Sequence, residues 1–271
     1  MSQETVYAIA SGKGGVGKTT TTVNLGTALA QAGRRVAIVD ADLGMANLAG
    51  FVSLSPDSAT LHDVLAGTAS VEEATYRLAK NIVGVPSGSA LEAYAETSPE
   101  GLGDVVDTLR EKVDYVLLDV GAGVSHETVL PLGLADAVIV VATPEPAAIQ
   151  DSTKTVDLTD RAGGEIAGLV VTRTHPTGDI PAEEIADKLG LDLLGSVPDD
   201  TAVRESVYAG TPLVVHKPDS PAAVAYRRMA ADLAGIESVQ GPAVDGDTDA
   251  DDVASHDEVS SAITDAESDA G

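Results

Sequence analysis

"IASGKGGVGKTTTTVNLG", residues 9–26, decides the fold of this chain. Within it, Gly12–Thr19 has the spacing G-x-x-x-x-G-K-T of a phosphate-binding loop. Glycines in such a loop let successive backbone N–H groups turn toward an anion. Gly12, Gly14, Gly15 and Gly17 supply that freedom, with Val16 between them. Lys18 is placed to reach the outer phosphates of a nucleotide and Thr19 to complete a Mg²⁺ shell, with Thr20 beside them. A helix opening near Gly17 aims its positive end at the same phosphates. Lys13, directly after the first glycine, is surplus to a loop that only holds its own nucleotide.

The loop follows the apolar run VYAIA (6–10) and opens a helical stretch at 17–32, closed by Gly33. Short β-branched runs recur along the chain: VAIVD (36–40), IVGV (82–85), YVLLDV (115–120), AVIVVA (137–142), AGLVVT (167–172) and LLGSV (193–197). Such runs are continuous rather than alternating, which suits strands buried on both faces of a parallel sheet. Helical stretches lie between most of them, at 99–112 with Ser98 as cap, 146–162, 181–189, 200–209 and 220–234. This alternation predicts an α/β fold: a doubly wound, mostly parallel sheet with helices on both faces and ligands at the carboxyl ends of its strands. One domain is expected over residues 1–235.

Acidic residues stand at those carboxyl ends. VDADLG places Asp40 and Asp42 after the second strand, and YVLLDVGAG ends a strand on Asp119. One carboxylate after a strand is usually a turn former. Three around one phosphate loop point to Mg²⁺-dependent chemistry. His126, in GVSHETV, reads as an ordinary helix-start residue, with Ser125 as cap and Glu127 in the first turn. Arg227 and Arg228 read as a basic pair near the end of the last helix, where they suit its dipole.

Composition narrows the classes. The 271 residues hold 43 acidic against 16 basic side chains, a formal charge of −27. Such a surface repels nucleic acid and anionic lipid. With few aromatics and much Ala and Gly, it resembles the composition of extreme halophiles, notably haloarchaea. The chain has no cysteine, so disulfides, zinc thiolates and iron–sulfur ligation are excluded. No apolar run approaches the length of a membrane span, and the N-terminus MSQETVYAIA lacks a basic region, so no cleaved signal and a cytoplasmic location are expected. Residues 236–271 carry 11 acidic residues and no Lys or Arg, the composition of a disordered acidic tail.

KGGVGKTT, with its second lysine, resembles the deviant phosphate loop of the MinD/ParA class of ATPases. VDADLGMANL is similar to the segment that follows in MinD proteins, archaeal (haloarchaeal) MinD-like proteins especially. The resemblance covers about residues 4–235. It implies a P-loop ATPase that binds ATP and Mg²⁺ and forms an ATP-dependent sandwich homodimer. Lys13 would then reach across to the partner's phosphates, as an arginine finger supplied in trans does. Asp42 would orient or activate the attacking water. Asp40 would support the magnesium and the switch region, and Asp119 would hold the metal with Thr19. Asn47 matches a position near the dimer interface.

The same resemblance puts LVVTRTHP and GSVPDD at the adenine contacts, with Arg173, Pro198 and Asp199 as candidates. Two departures stand out: relatives often carry Asn where Thr172 stands and Pro where Gly121 stands. The function implied is a slow, partner-stimulated ATPase switch that positions a division site, a polar structure or another cargo. It would work through a protein activator or cargo adaptor, and a partner could recruit it to membrane or pole.

A ParA-like DNA-partition ATPase is the alternative, but it needs a basic DNA-binding surface. Without the tail, 32 acidic residues still face 16 basic ones, so DNA is not the expected partner. Direct membrane binding is not expected either, because the tail offers no basic amphipathic helix. A nucleotide-binding regulator with negligible turnover is disfavoured by Asp42, and the iron–sulfur relatives by the missing cysteines.

Overall fold

β1 (Thr5–Ala10) is the centre of an eight-stranded sheet in a computed structural model that describes residues 5–52, 59–88, 98–123 and 126–236. The phosphate loop leaves β1 and runs into α1 (Lys18–Gln31). β2 (Val36–Ala41) follows, then the short helices α2 (Leu48–Phe51) and α3 (Leu61–Leu65) and an edge hairpin of β3 (Tyr76–Ala79) and β4 (Ile82–Val85). A 3₁₀ turn at Pro99–Gly101 leads into α4 (Leu102–Arg110) and β5 (Tyr115–Val120). The second half runs α5 (His126–Leu134), β6 (Ala137–Ala142), α6 (Pro146–Ala162), β7 (Ile166–Thr174), α7 (Ala182–Leu189) and β8 (Leu193–Pro198). It closes with α8 (Thr201–Tyr208), α9 (Leu213–His216) and α10 (Pro221–Leu233).

The strand order is β3-β4-β2-β5-β1-β6-β7-β8. Every pairing is parallel except β3 with β4. The sheet is doubly wound and mostly parallel, as the alternation of apolar runs and helical stretches predicts. The apolar runs are continuous because each strand feeds two cores. Val6, Ala8 and Ala10 belong to the core that includes α4 and α7, while Ile9 belongs to the one that includes α1 and α10. β3 escapes the sequence pattern because it is a half-exposed edge strand containing Arg77, with no continuous apolar run.

Two local features differ from the sequence expectation. Ser98 makes no side-chain cap; its carbonyl accepts the Gly101 N–H at 2.9 Å, and the chain enters α4 through the 3₁₀ turn. Arg227 and Arg228 lie in the middle of α10, not at its end. Arg227 donates to the Pro218 carbonyl beside the helix start, so its role is local anchoring rather than dipole compensation. His126 does begin α5, whereas Ser125 and the tail from 237 onward lie outside the described residues.

Candidate functional site

The phosphate loop is shaped by packing as much as by turning. A Cβ on Gly12 would lie 2.0 Å from the Asp151 carbonyl oxygen in α6, so only glycine fits there. Gly14 and Gly15 have open space around them, as a cradle for an anion requires. Gly15 and Gly17 take φ of 78° and 100°, a region closed to most side chains. Gly17 is the N-cap of α1, and the helix begins at Lys18. Burial lowers the Lys18 pKa, while Asp119 and Asp42 push it back toward the charged form. The ammonium is thus poised among carboxylates at a helix N-terminus.

Asp40 and Asp119 are opposite each other in the β2–β5 register. Both are buried to 1% exposure or less. Asp40 Oδ2 accepts the N–H groups of Asn47 and Leu48, each at 3.0 Å. Asp119 Oδ1 accepts the Thr22 hydroxyl at 3.2 Å. Their other oxygens, Asp40 Oδ1 and Asp119 Oδ2, are buried with no hydrogen-bond partner among the described residues. Burial raises Asp40 to about 7, with Asp119 adding to the rise and the two N–H groups opposing it. Burial likewise raises Asp119 to about 6, opposed chiefly by Thr19, Lys18 and Thr22. A buried carboxylate oxygen without a donor is costly. A divalent cation beside this pair fits the chemistry of the donor set.

Asp42 is half-buried, and its Oδ1 accepts the Met45 N–H at 3.0 Å. That oxygen lies 3.2 Å from where a Cβ on Gly121 would stand, so the glycine at this departure leaves room for the carboxylate. A cavity of about 550 Å³ is lined by Gly14, Gly15, Gly17, Lys18, Thr19 and Thr20, together with Asp42, Asn47, Gly121 and Arg173. Asp40 and Asp119 do not line it, although Asp119 acts electrostatically on Lys18, which does.

A second cavity, about 710 Å³, adjoins the first through Gly17, Thr20 and Arg173. Pro198, Asp199, Val16 and Thr172 line it. Thr172 Oγ1 donates to the Val16 carbonyl at 2.6 Å. Its hydroxyl therefore clamps the phosphate loop to β7. Arg173 takes a positive φ of 55°, and its guanidinium donates to the Gly15 carbonyl at 2.7 Å. This uncommon conformation for a non-glycine residue folds the side chain back over the loop.

Some contributors carry no legible signal in the sequence. His175 stands between two carboxylates on this second cavity, 3.1 Å from Asp179 and 3.4 Å from Asp199. Thr143 Oγ1 is a buried hydroxyl on the same wall with no partner among the described residues. Glu145, at the N-cap of α6, pairs with Lys13 at 3.1 Å. Lys13 itself is exposed and lines neither cavity.

Residues 7–213 match the model of the CobQ/CobB/MinD/ParA nucleotide binding domain. The chain belongs to that family. It is 41% identical over 231 residues to an uncharacterised ATP-binding protein of Methanocaldococcus jannaschii, covering 85% of this chain and 88% of that one. It is 36% identical over 241 residues to the septum site-determining protein MinD of Bacillus subtilis, covering 85% and 89%. Among solved structures, the MinD of Pyrococcus horikoshii complexed with Mg-ADP superposes with a TM-score of 0.81 at 35% identity, covering 84% and 95%. A relative named for septum siting thus aligns with most of this MinD/ParA-family chain and most of its own length. Among its described residues no helix is long and apolar enough to cross a membrane.

Proposed function

We propose that this chain is a MinD-like ATPase switch. It binds ATP with Mg²⁺, forms a sandwich homodimer, and resets by hydrolysis. In that cycle it positions a division site or another cellular cargo through a protein partner. The observation that carries this reading is the position of Lys13. Its ammonium pairs with exposed Glu145 at 3.1 Å, and Lys13 is not among the residues that line its own phosphate cavity. A lysine serving its own nucleotide would line that cavity; one serving a partner's nucleotide would wait at the rim.

The residues divide the work. The loop N–H groups and Lys18 bind the phosphates, with the start of α1 adding its dipole. Thr19 and Asp119 would hold Mg²⁺, with Asp40 beneath them. When bound, that ion supplies charge neutralisation along the phosphates. Asp42 lines the cavity with one oxygen fixed by Met45, which suits it to orient a water. Thr172 and Arg173 hold Val16 and Gly15, so the loop geometry is tied to the base-side wall. Arg173, Pro198 and Asp199 are the residues we assign to the base. The acidic surface disfavours a DNA-partition role, because duplex DNA requires clustered Lys and Arg.

The test is Mg²⁺-dependent ATP turnover by the wild type and by Asp42→Ala. The variant should keep ATP affinity within a few-fold and lose about a hundredfold or more in kcat. Equal turnover by the two proteins would overturn the hydrolytic role of Asp42.

A further inference from the structure

The segment carrying Asp42 is tied down from outside its own strand at two points. Ser87 Oγ donates to the Asp40 carbonyl at 2.7 Å. On the other side of Asp42, His62 Nε2 lies 3.0 Å from the Leu43 carbonyl. Both groups belong to one neighbouring unit. Ser87 follows β4, and His62 lies in the first turn of α3. That unit is firmly built. Thr60 and Asp63 close a capping box on α3, and the Leu61 N–H donates to the Pro86 carbonyl at 2.8 Å. A Cβ on Gly88 would lie 2.8 Å from His62 Nδ1, so the loop packs directly on the ring.

His62 is 1% exposed. An imidazole is a costly side chain to bury, and an apolar one of similar size would fill the space without that desolvation. What the ring adds is a donor. A carbonyl oxygen only accepts, so Nε2 carries the proton and the tautomer is set. The ring lines neither cavity.

We infer that His62 is a positioning residue for Asp42: with Ser87, it fixes the Asp40–Leu43 backbone and so the direction in which the Asp42 carboxylate leaves the chain. The turn after Asp42 closes on the Met45 N–H at 3.0 Å. With Leu43 anchored as well, that turn cannot swing as a unit away from the phosphate cavity. Displacing a reacting group by about 1 Å costs up to about a hundredfold in rate. The inference rests on the hydrolase reading of Asp42.

The experiment is steady-state ATPase kinetics with direct ATP binding, on full-length wild type, His62→Leu, His62→Gln and Ser87→Ala. His62→Leu fills the space and loses the donor. We expect ATP affinity within twofold of wild type and kcat lower by about tenfold, the scale of one lost neutral hydrogen bond felt in the transition state. His62→Gln places an amide N–H near the same carbonyl and should recover most of that loss. Ser87→Ala should lower kcat several-fold, again at unchanged affinity. Wild-type kcat in His62→Leu, or a loss of affinity as large as the loss of kcat, would overturn the inference. If His62→Leu does not fold, Ser87→Ala decides: wild-type kcat there overturns the inference, and lowered kcat with intact binding supports it. A wild type that binds ATP without hydrolysing it would instead overturn the hydrolase reading, and this role with it.

Discussion

Asp40 and Asp119 face each other across adjacent parallel strands, each with one buried carboxylate oxygen that no donor among the described residues satisfies. Burial pushes them from an ordinary 3.8 to about 7 and about 6. Between those values the nucleotide-free folded protein holds protons that the unfolded chain has released. Their contribution to stability is therefore fully present below about pH 4 and is lost as pH rises to about 7. Asp40→Asn cannot titrate, and it keeps an acceptor for the Asn47 and Leu48 N–H groups. In metal-free buffer, its Tm relative to wild type should rise steadily from pH 4.5 to pH 7.5. A difference that does not change with pH would contradict the burial assigned to this pair.

Two glycines of one loop should behave oppositely. Gly12→Ala forces a methyl into the Asp151 backbone, where no flexible side chain can yield. A destabilisation of about 1–3 kcal/mol is expected, lowering Tm by several degrees. Gly14→Ala meets nothing within 4 Å. It should leave Tm of the nucleotide-free protein near wild type and change only nucleotide affinity. Thermal denaturation of both variants checks this, and equal Tm losses would contradict it.

The Thr172 hydroxyl has a structural task. It clamps Val16 to β7. Thr172→Val keeps the shape and removes the clamp. Losing one hydrogen bond of about 1 kcal/mol should weaken nucleotide binding by roughly fivefold. Calorimetric titration with ADP measures it. Unchanged affinity would mean that the clamp does not shape the loop.

The parts that were legible in the sequence share one property: they are encoded by contiguous residues. The phosphate loop, the continuous apolar strands and the carboxylates at strand ends each follow from a local pattern. What was not legible depends on residues brought together from far apart. Glu145 pairs with Lys13 across 132 positions, and nothing near Glu145 marks it. His62 meets Leu43 through the packing of α3 on the sheet edge, and His175 finds Asp199 only where β7 and β8 run side by side. The β3 edge escaped because half-exposed strands lose the apolar continuity that marks the others. Ser98 misled because a serine before a proline also suits a 3₁₀ entry.

Lys13, in the proposed cycle, acts on a partner's nucleotide, and its removal should therefore abolish dimerisation and turnover together. Because Lys13 and Glu145 are both solvent-exposed, their pair contributes little to stability. Lys13→Ala should therefore fold as wild type and still bind ATP. Light scattering on gel-filtered protein with Mg-ATP, paired with turnover on the same samples, then separates the possibilities. Wild type should form a dimer and hydrolyse ATP, and Lys13→Ala should stay monomeric with turnover reduced by about a hundredfold or more, the scale of a charge supplied in trans. Lys13→Ala that dimerises and hydrolyses like wild type would rule out a role for Lys13 on the partner's nucleotide.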